Sequence, residues 1–197
     1  LHEPDLSRQE VKSVRIFYII GMPGTGKSTI MKELMNRFDG WKQERVVELL
    51  DTHVTGNLRI LGKYEDDGET FSGTDRLSMA VPPRAVDWVI TRPKEFIIGE
   101  GDRLNNKTFF LACQPHLTII HITSSDEERE RRYKERGSEQ SEKFIKTTRS
   151  KCENIVEHFG DKQTLFGEEK GCVVEFKHET PEDTQVIVDY ILESYRS

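Results

Sequence analysis

Gly21-Met22-Pro23-Gly24-Thr25-Gly26-Lys27-Ser28, entered from the apolar run Val14 to Ile20 and left through Thr29-Ile30-Met31-Lys32-Glu33-Leu34, reads as a strand, a glycine-rich turn and a helix. The spacing fits G-x-x-x-x-G-K-[ST], a loop whose backbone N–H groups surround nucleotide phosphates. Gly21, Gly24 and Gly26 let the backbone approach an anion, with Pro23 and Thr25 between them. The helix that starts near Lys27 aims its positive dipole end at the same place. Lys27 then reaches the β and γ oxygens, the Ser28 hydroxyl is placed to hold Mg²⁺, and Thr29 carries the helix onward. The other reading, a chance match in an ordinary turn, lacks the flanking strand and helix.

Working outward, the chain has 197 residues, enough for one α/β domain with a lid. Apolar residues make up 35% and charged residues 32%, polar for a globular protein but short of a disordered composition. No apolar run has the length of a membrane span and the first residues are acidic, so a soluble, cytoplasmic protein is expected. Cys113, Cys152 and Cys172 are odd in number and widely spaced, which suggests neither a disulfide framework nor a zinc site. The net charge of −6 speaks against a protein that coats nucleic acid over its whole surface, but not against a local basic site.

Residues 1–13 read as a loose lead-in, and 14–197 as the domain. Val14 to Ile20 is the central strand, apolar nearly throughout as a buried parallel strand should be. The helix from Lys27 to about Phe38 places Ile30, Leu34 and Phe38 on one face, and Gly40 stops it. Glu44 to Leu50 is a second strand ending in Asp51, a candidate base for an acceptor hydroxyl or an ordinary turn residue. Leu58 to Tyr64 and Glu69 to Gly73, joined by Glu65-Asp66-Asp67-Gly68, read as an inserted β-hairpin. Thr74-Asp75-Arg76 follows on a loop: Asp75 as acceptor-orienting base and Arg76 as phosphate holder, or together a helix cap with a surface ion pair. Pro82 and Pro83 open a helix through Trp88 and Ile90.

Lys94 to Gly99 is a short buried strand ending in Glu100-Gly101-Asp102-Arg103. A carboxylate at the end of the strand beside the phosphate loop is where Mg²⁺ and its waters are held, and spacing leaves Glu100 and Asp102 both eligible. Gly99 and Gly101 are read as making room for phosphate and water, and Arg103 as folding back on a carboxylate or reaching the acceptor. His116 and His121, on the strand His116 to Ile122, point to opposite faces and are not a metal pair. Thr123-Ser124-Ser125-Asp126 caps a helix that puts Arg129, Arg132 and Arg136 on one face, and a second helix runs from about Ser141 to Phe159. From Arg129 to Lys151 nine Lys or Arg stand against four Asp or Glu, so this span is +5 and the remainder −11. Solvated ion pairs such as Glu128 with Arg132 are the bland reading; a helical lid over about 125–158 that closes on ATP is the functional one. Gly171 to Phe176 is the last strand, and a capped helix from near Pro181 closes the domain.

The loop Gly21 to Ser28, Leu61-Gly62-Lys63-Tyr64 with Phe71 to Met79, Gly99 to Leu104, and Gln140 to Phe144 with Lys151 and Asn154-Ile155 together resemble P-loop kinases encoded by bacteriophages. More specifically, they are similar to the 5-hydroxymethyluridine DNA kinases of phages that hypermodify thymine, over roughly residues 14–160. That resemblance implies transfer of the γ-phosphate of ATP to the 5-hydroxymethyl group of 5-hydroxymethyluracil in DNA, in the host cytoplasm during infection; no obligate protein partner is inferred. A base inside a duplex would have to be flipped out, and DNA would be gripped by the positive span together with Lys63 and Arg76.

The expected fold is therefore a P-loop kinase-type α/β three-layer sandwich, with a mostly parallel five-stranded sheet, a hairpin insertion and a helical lid. The expected cofactors are ATP and Mg²⁺. Lys27 and Ser28 handle phosphate and metal, Asp102 or Glu100 the metal shell, Asp75 with Asp51 second the acceptor hydroxyl, and Arg132 and Arg136 the charge of the transferring group. Two other classes stay open: a kinase of a free nucleotide or small metabolite, and a switch ATPase that works by changing shape.

Overall fold

The structure, a computed structural model, describes residues 14–65 and 72–197. Its elements are β1 (Arg15–Gly21), α1 (Lys27–Met35), β2 (Lys42–Val47), β3 (Leu50–Thr55), β4 (Leu58–Leu61), a 3-10 turn (Thr74–Arg76), α2 (Val81–Val89), β5 (Phe96–Glu100), α3 (Lys107–Cys113), β6 (Leu117–Thr123), α4 (Asp126–Arg136), α5 (Glu142–Phe159), β7 (Lys162–Thr164), β8 (Gly167–Glu169), β9 (Val173–Lys177) and α6 (Pro181–Arg196). β1 alternates between two cores. Ile16, Tyr18 and Ile20 face α2, α3 and α5, while Phe17 and Ile19 face α1 and α6, which makes three layers.

The main sheet has seven strands in the order β2-β3-β4-β5-β1-β6-β9, where five were expected. β4, β5, β1, β6 and β9 are parallel, and β2 and β3 extend the β4 edge antiparallel. The difference has two local causes. The run Glu44 to Leu50 is not one strand, because the chain reverses at Glu48-Leu49, with Leu49 at φ 68°, and Asp51 falls inside β3. β4 is not an arm of an insertion but part of the parallel core, buried at all four positions. Its Arg59 disguises this in the sequence, since the buried guanidinium is matched by Glu95 at 2.6 and 2.7 Å and by Thr52 Oγ1 at 2.8 Å. Lys63 and Gly73 do form one antiparallel bridge. The turn residues Asp66, Asp67 and Gly68, the segment Glu69 to Phe71 and the lead-in 1–13 lie outside the described residues.

Serine and threonine caps set the helix starts that matter for the site. Ser125 accepts from Glu128 N at α4, Ser141 from Phe144 N at α5, and Thr180 with Asp183 makes a reciprocal capping box at α6. Part of the expected lid segment packs into the core of the domain. Thr148, Cys152, Ile155 and Phe159 are buried, the last two against the sheet, so the C-terminal half of α5 is a core helix.

The connection from β9 to α6 returns to the phosphate loop. His178, 4% exposed, lies with Nδ1 2.7 Å from Thr25 O and Nε2 2.7 Å from Thr184 Oγ1. Gly26, at φ 88°, leaves the space this ring occupies: a Cβ there would lie 2.4 Å from the imidazole. Burial chiefly holds the ring below its usual titration range, aided by Arg132 and opposed by the bond to Thr25. Neutral His178 thus donates from Nδ1 to Thr25 O and accepts from Thr184. A ring with a lowered folded-state value contributes stability that is complete above pH 6.5, the free value, and lost as pH falls through the folded one. His178→Gln should therefore be less stable than wild type by about 1–2 kcal/mol at pH 7.5 in denaturant unfolding. The gap should close toward pH 5; a gap independent of pH would remove the histidine from this role.

Candidate active site

The phosphate loop leaves β1 at the point where the chain order of the parallel strands reverses, with β5 on one side and β6 on the other. Lys27 Nζ donates to Gly21 O at 2.9 Å and Met22 O at 3.0 Å, so its charge rests on the loop's own carbonyls. The loop borders a cleft whose floor and far wall come from Glu100, Gly101, Asp102, Asn105, Ser72 and Asp75, and whose roof comes from Tyr133, Arg136, Ser138, Gln140, Phe144 and Thr148.

The parallel register settles how the two eligible carboxylates stand. Ile19 lies opposite Glu100, so Glu100 ends β5 level with the end of β1. Its Oε1 accepts from Tyr64 Oη at 2.9 Å and from Ser28 Oγ at 3.4 Å. Gly101, at φ 111°, then turns the chain, and Asp102 meets Lys151 Nζ of α5 at 2.9 Å. Glu100 is 2% exposed, and its carboxyl is pushed up to about 7. Burial is the main cause and Asp75 adds to it, while Lys27 and the bonds from Tyr64 and Ser28 oppose it.

These groups suit a hard cation. A hydroxyl and a carboxylate side by side are oxygen donors, and the carboxylate is one that lacks a full counter-charge. Among the described residues no cluster of three or more His, Cys, Asp or Glu is a metal site. An ion held by Ser28 and Glu100 would take its remaining oxygens from phosphates and water, as Mg²⁺ does.

Asp75 is fixed by the backbone. Its Oδ1 accepts from the N–H of Asp102 at 2.8 Å and of Arg103 at 3.2 Å. The turn that carries it is tied to β5 through Thr74 Oγ1, which donates to Glu100 O at 2.8 Å. Buried Tyr18 donates to Gly101 O at 2.9 Å beside the same threonine. This changes the reading of two glycines. The space at Gly99 is filled by the Tyr18 ring, 2.7 Å from a built Cβ, and that at Gly101 by Thr74 and Asp75. Both therefore serve close packing, rather than the room for phosphate and water that was expected.

Other expected residues lie elsewhere. Asp51 pairs with Arg45 at 2.8 Å and with Lys63 at 3.4 Å across the β2–β3 edge, in a separate surface hollow. Arg76 lies 4.0 Å from Glu65. Arg103 Nη2 donates to Asp75 O at 3.2 Å, and its Nη1 lies against Met79 Sδ. Arg132 does not face the cleft: it donates to Gly24 O at 3.0 Å, His178 O at 3.2 Å and Ser124 Oγ at 3.3 Å, and pairs with Glu128 at 2.8 Å. Four partners hold it on the outer side of the loop, where it borders a second pocket with Gly26, Thr29, His178, Thr180 and Pro181. Arg129 is buried against Asp126. Arg136 is the arginine of this face that lines the cleft.

Sequence reasoning missed Tyr133, whose hydroxyl donates to Pro23 O, and His178. Each meets the loop from more than a hundred residues away, and no local pattern marks it. It also missed Asn105, for which there was a faint signal. Asn106 caps α3, accepting from Phe109 N at 2.8 Å, so the asparagine before it has no capping duty.

Comparison with known proteins bears on this arrangement. No curated protein matches the sequence. A solved structure, that of an uncharacterized protein from Eubacterium ventriosum ATCC 27560, is similar at 14% identity and a TM-score of 0.45, covering 91% of this chain and 98% of that one. The family described as P-loop Nucleotide Kinase3 matches residues 12–193. With that match spanning nearly the whole length, the chain belongs to the P-loop nucleotide kinase 3 family.

Proposed function

We propose that this kinase transfers the γ-phosphate of ATP to the hydroxymethyl oxygen of 5-hydroxymethyluracil in DNA. The observation that carries the hydroxyl acceptor is the charge of the cleft beyond the phosphate loop. A kinase whose acceptor is itself a phosphate must neutralise two facing anions, which takes several cations. Here the described lining holds Glu100, Asp102 and Asp75 against Lys27, in the loop, and Arg136, with Asp102 also paired to Lys151. Such a lining offers little positive charge to a second phosphate and suits a neutral alcohol on a neutral ring.

The residues divide the work accordingly. Lys27 exchanges the carbonyls of Gly21 and Met22 for β and γ oxygens. Asp75, with Oδ1 pinned by two N–H groups, presents Oδ2 to the acceptor hydroxyl and takes its proton. Arg136 offsets charge on the transferring phosphoryl, and Arg132 keeps the loop in shape. Ser28 and Glu100 would hold Mg²⁺, which when bound supplies charge neutralisation at the β and γ oxygens. With the acceptor on the Asp75 side, the nucleoside of ATP leaves the loop over Gly26 and Thr29 into the pocket between α4 and the β9–α6 connection.

Support for DNA as carrier is the convergence of the resembling blocks. Glu100 to Asp102, Ser72 to Asp75, and Gln140 to Phe144 meet around one cleft, and Tyr64 and Lys151 hold its carboxylates. Lys134, Lys143 and Lys146, neighbours in sequence of the roof residues, and Arg136 are exposed and have no carboxylate partner among the described residues. They suit a local, salt-sensitive grip on DNA phosphates.

The direct test is γ-labelled ATP and Mg²⁺ with 5-hydroxymethyluracil DNA, thymine DNA and a panel of free nucleosides and nucleotides, digested and read by mass spectrometry. Label on the hydroxymethyl group in DNA is expected; label only on a free compound, or on a nucleotide's own phosphate, would discard the acceptor. Lys27→Ala should abolish transfer with an unchanged circular dichroism spectrum, and transfer at the wild-type rate would sink the role of the loop. Asp75→Asn should lower kcat by about 10²–10⁴-fold while leaving ATP affinity within about twofold. An unchanged kcat would take Asp75 out of the mechanism.

A further inference from the structure

We infer that Asn105 reads the Watson–Crick edge of the acceptor base, accepting a hydrogen bond from the ring N3–H of a uracil-type pyrimidine; this rests on the hydroxymethyluracil reading above. Asn105 is 2% exposed, lines the cleft, and its Oδ1 is buried with no hydrogen-bond partner among the described residues. A buried amide oxygen without a partner costs about 1–3 kcal/mol, so its retention beside a cleft points to a partner that arrives with substrate. The amide is also oriented. Nδ2 lies 3.9 Å from Cys152 Sγ on α5, which leaves Oδ1 as the unpaired end of the amide. The residue has no capping task to explain it, since Asn106 performs that.

The surroundings fit a flat, uncharged ring with a polar edge. Phe144, Thr148 and Cys152 recur every fourth residue along one face of α5, so that face runs from an aromatic side chain at the mouth of the cleft to the asparagine's anchor. Phe144 lines the cleft and is 41% exposed, an aromatic face on which an extruded base can stack. Gln140 and Thr148 add neutral donors and acceptors, and among the described residues no cation bonds the Asn105 oxygen. An acceptor at this position selects a ring with a donor at N3. Uracil has one, whereas N3 of cytosine is itself an acceptor and would face Oδ1 lone pair to lone pair.

The test pairs a change in substrate with a change in protein. Single-stranded oligonucleotides carry either 5-hydroxymethyluracil or its N3-methyl derivative, which keeps the reacting alcohol and lacks the donor. Wild type and Asn105→Leu are assayed on both, with ATP affinity and melting temperature measured alongside. Wild type should lose about 10- to 100-fold in kcat/KM on the N3-methyl substrate. Asn105→Leu should lose a similar factor on the unmethylated substrate and show no further loss on methylation. Its ATP affinity should be unchanged and its melting temperature no lower than wild type, because the substitution removes an unpaired group. Equal wild-type rates on the two oligonucleotides would overturn the inference while leaving the acceptor assignment standing, and this comparison does not depend on the variant folding. A methylation penalty of the same size in Asn105→Leu would likewise overturn it, showing a steric cause. Transfer by wild type to neither oligonucleotide would remove the acceptor assignment and the inference with it.

Discussion

Every carbonyl oxygen from Gly21 to Gly26 accepts a hydrogen bond, and the rest of the structure is arranged to supply the donors. Lys27 serves Gly21 and Met22, Thr25 adds a second bond to Met22, Tyr133 serves Pro23, Arg132 serves Gly24, His178 serves Thr25 and the N–H of Ile30 serves Gly26. A loop that must offer its N–H groups to an anion cannot also use them to hold its own shape, so its carbonyl side has to be anchored from outside. Strand order makes the anchoring possible. β6 and β9 follow β1 across the sheet, so the connections leaving their carboxyl ends carry α4 and His178 back to the loop.

A second constraint follows from burying Glu100. A carboxylate enclosed beside Ser28 and Tyr64 is costly to ionise in the free protein, and the charge it lacks is what a divalent cation with nucleotide phosphates would bring. Asn105 carries a buried, unpaired oxygen in the same lining. The Asp75 carboxylate, in contrast, is held by two backbone N–H groups.

The charge segregation in the sequence means less than its sum. Within the +5 span, Arg129, Arg131 and Arg132 are paired with Asp126, Glu128 and Glu135 on the same helix, two of which lie before the span begins. Arg132 is further bound to backbone, so the arginine face read as one functional stripe divides into a buried residue, a loop brace and a cleft residue. Spacing of three or four residues shows that side chains share a face. It does not show what that face meets.

Local order along the chain was sufficient for the strand, phosphate loop and helix around Gly21 to Ser28, for the starts of α4, α5 and α6 at their serine and threonine caps, and for the three-layer class, because each depends on neighbours a few residues apart. It also singled out Glu100, Asp102 and Asp75 as candidates. It misread Glu44 to Leu50, where one residue in a left-handed conformation reverses the chain, and Leu58 to Leu61, where an ion-paired arginine hides a fully buried strand. Which carboxylate stands by Ser28 followed only from the register of β5 on β1, and which side chains brace the loop followed only from the order of β6 and β9 in the sheet. Those partners are separated by about seventy to a hundred and fifty residues, and burial and hydrogen bonding across such distances are fixed when the sheet closes, not by any pattern within a single segment.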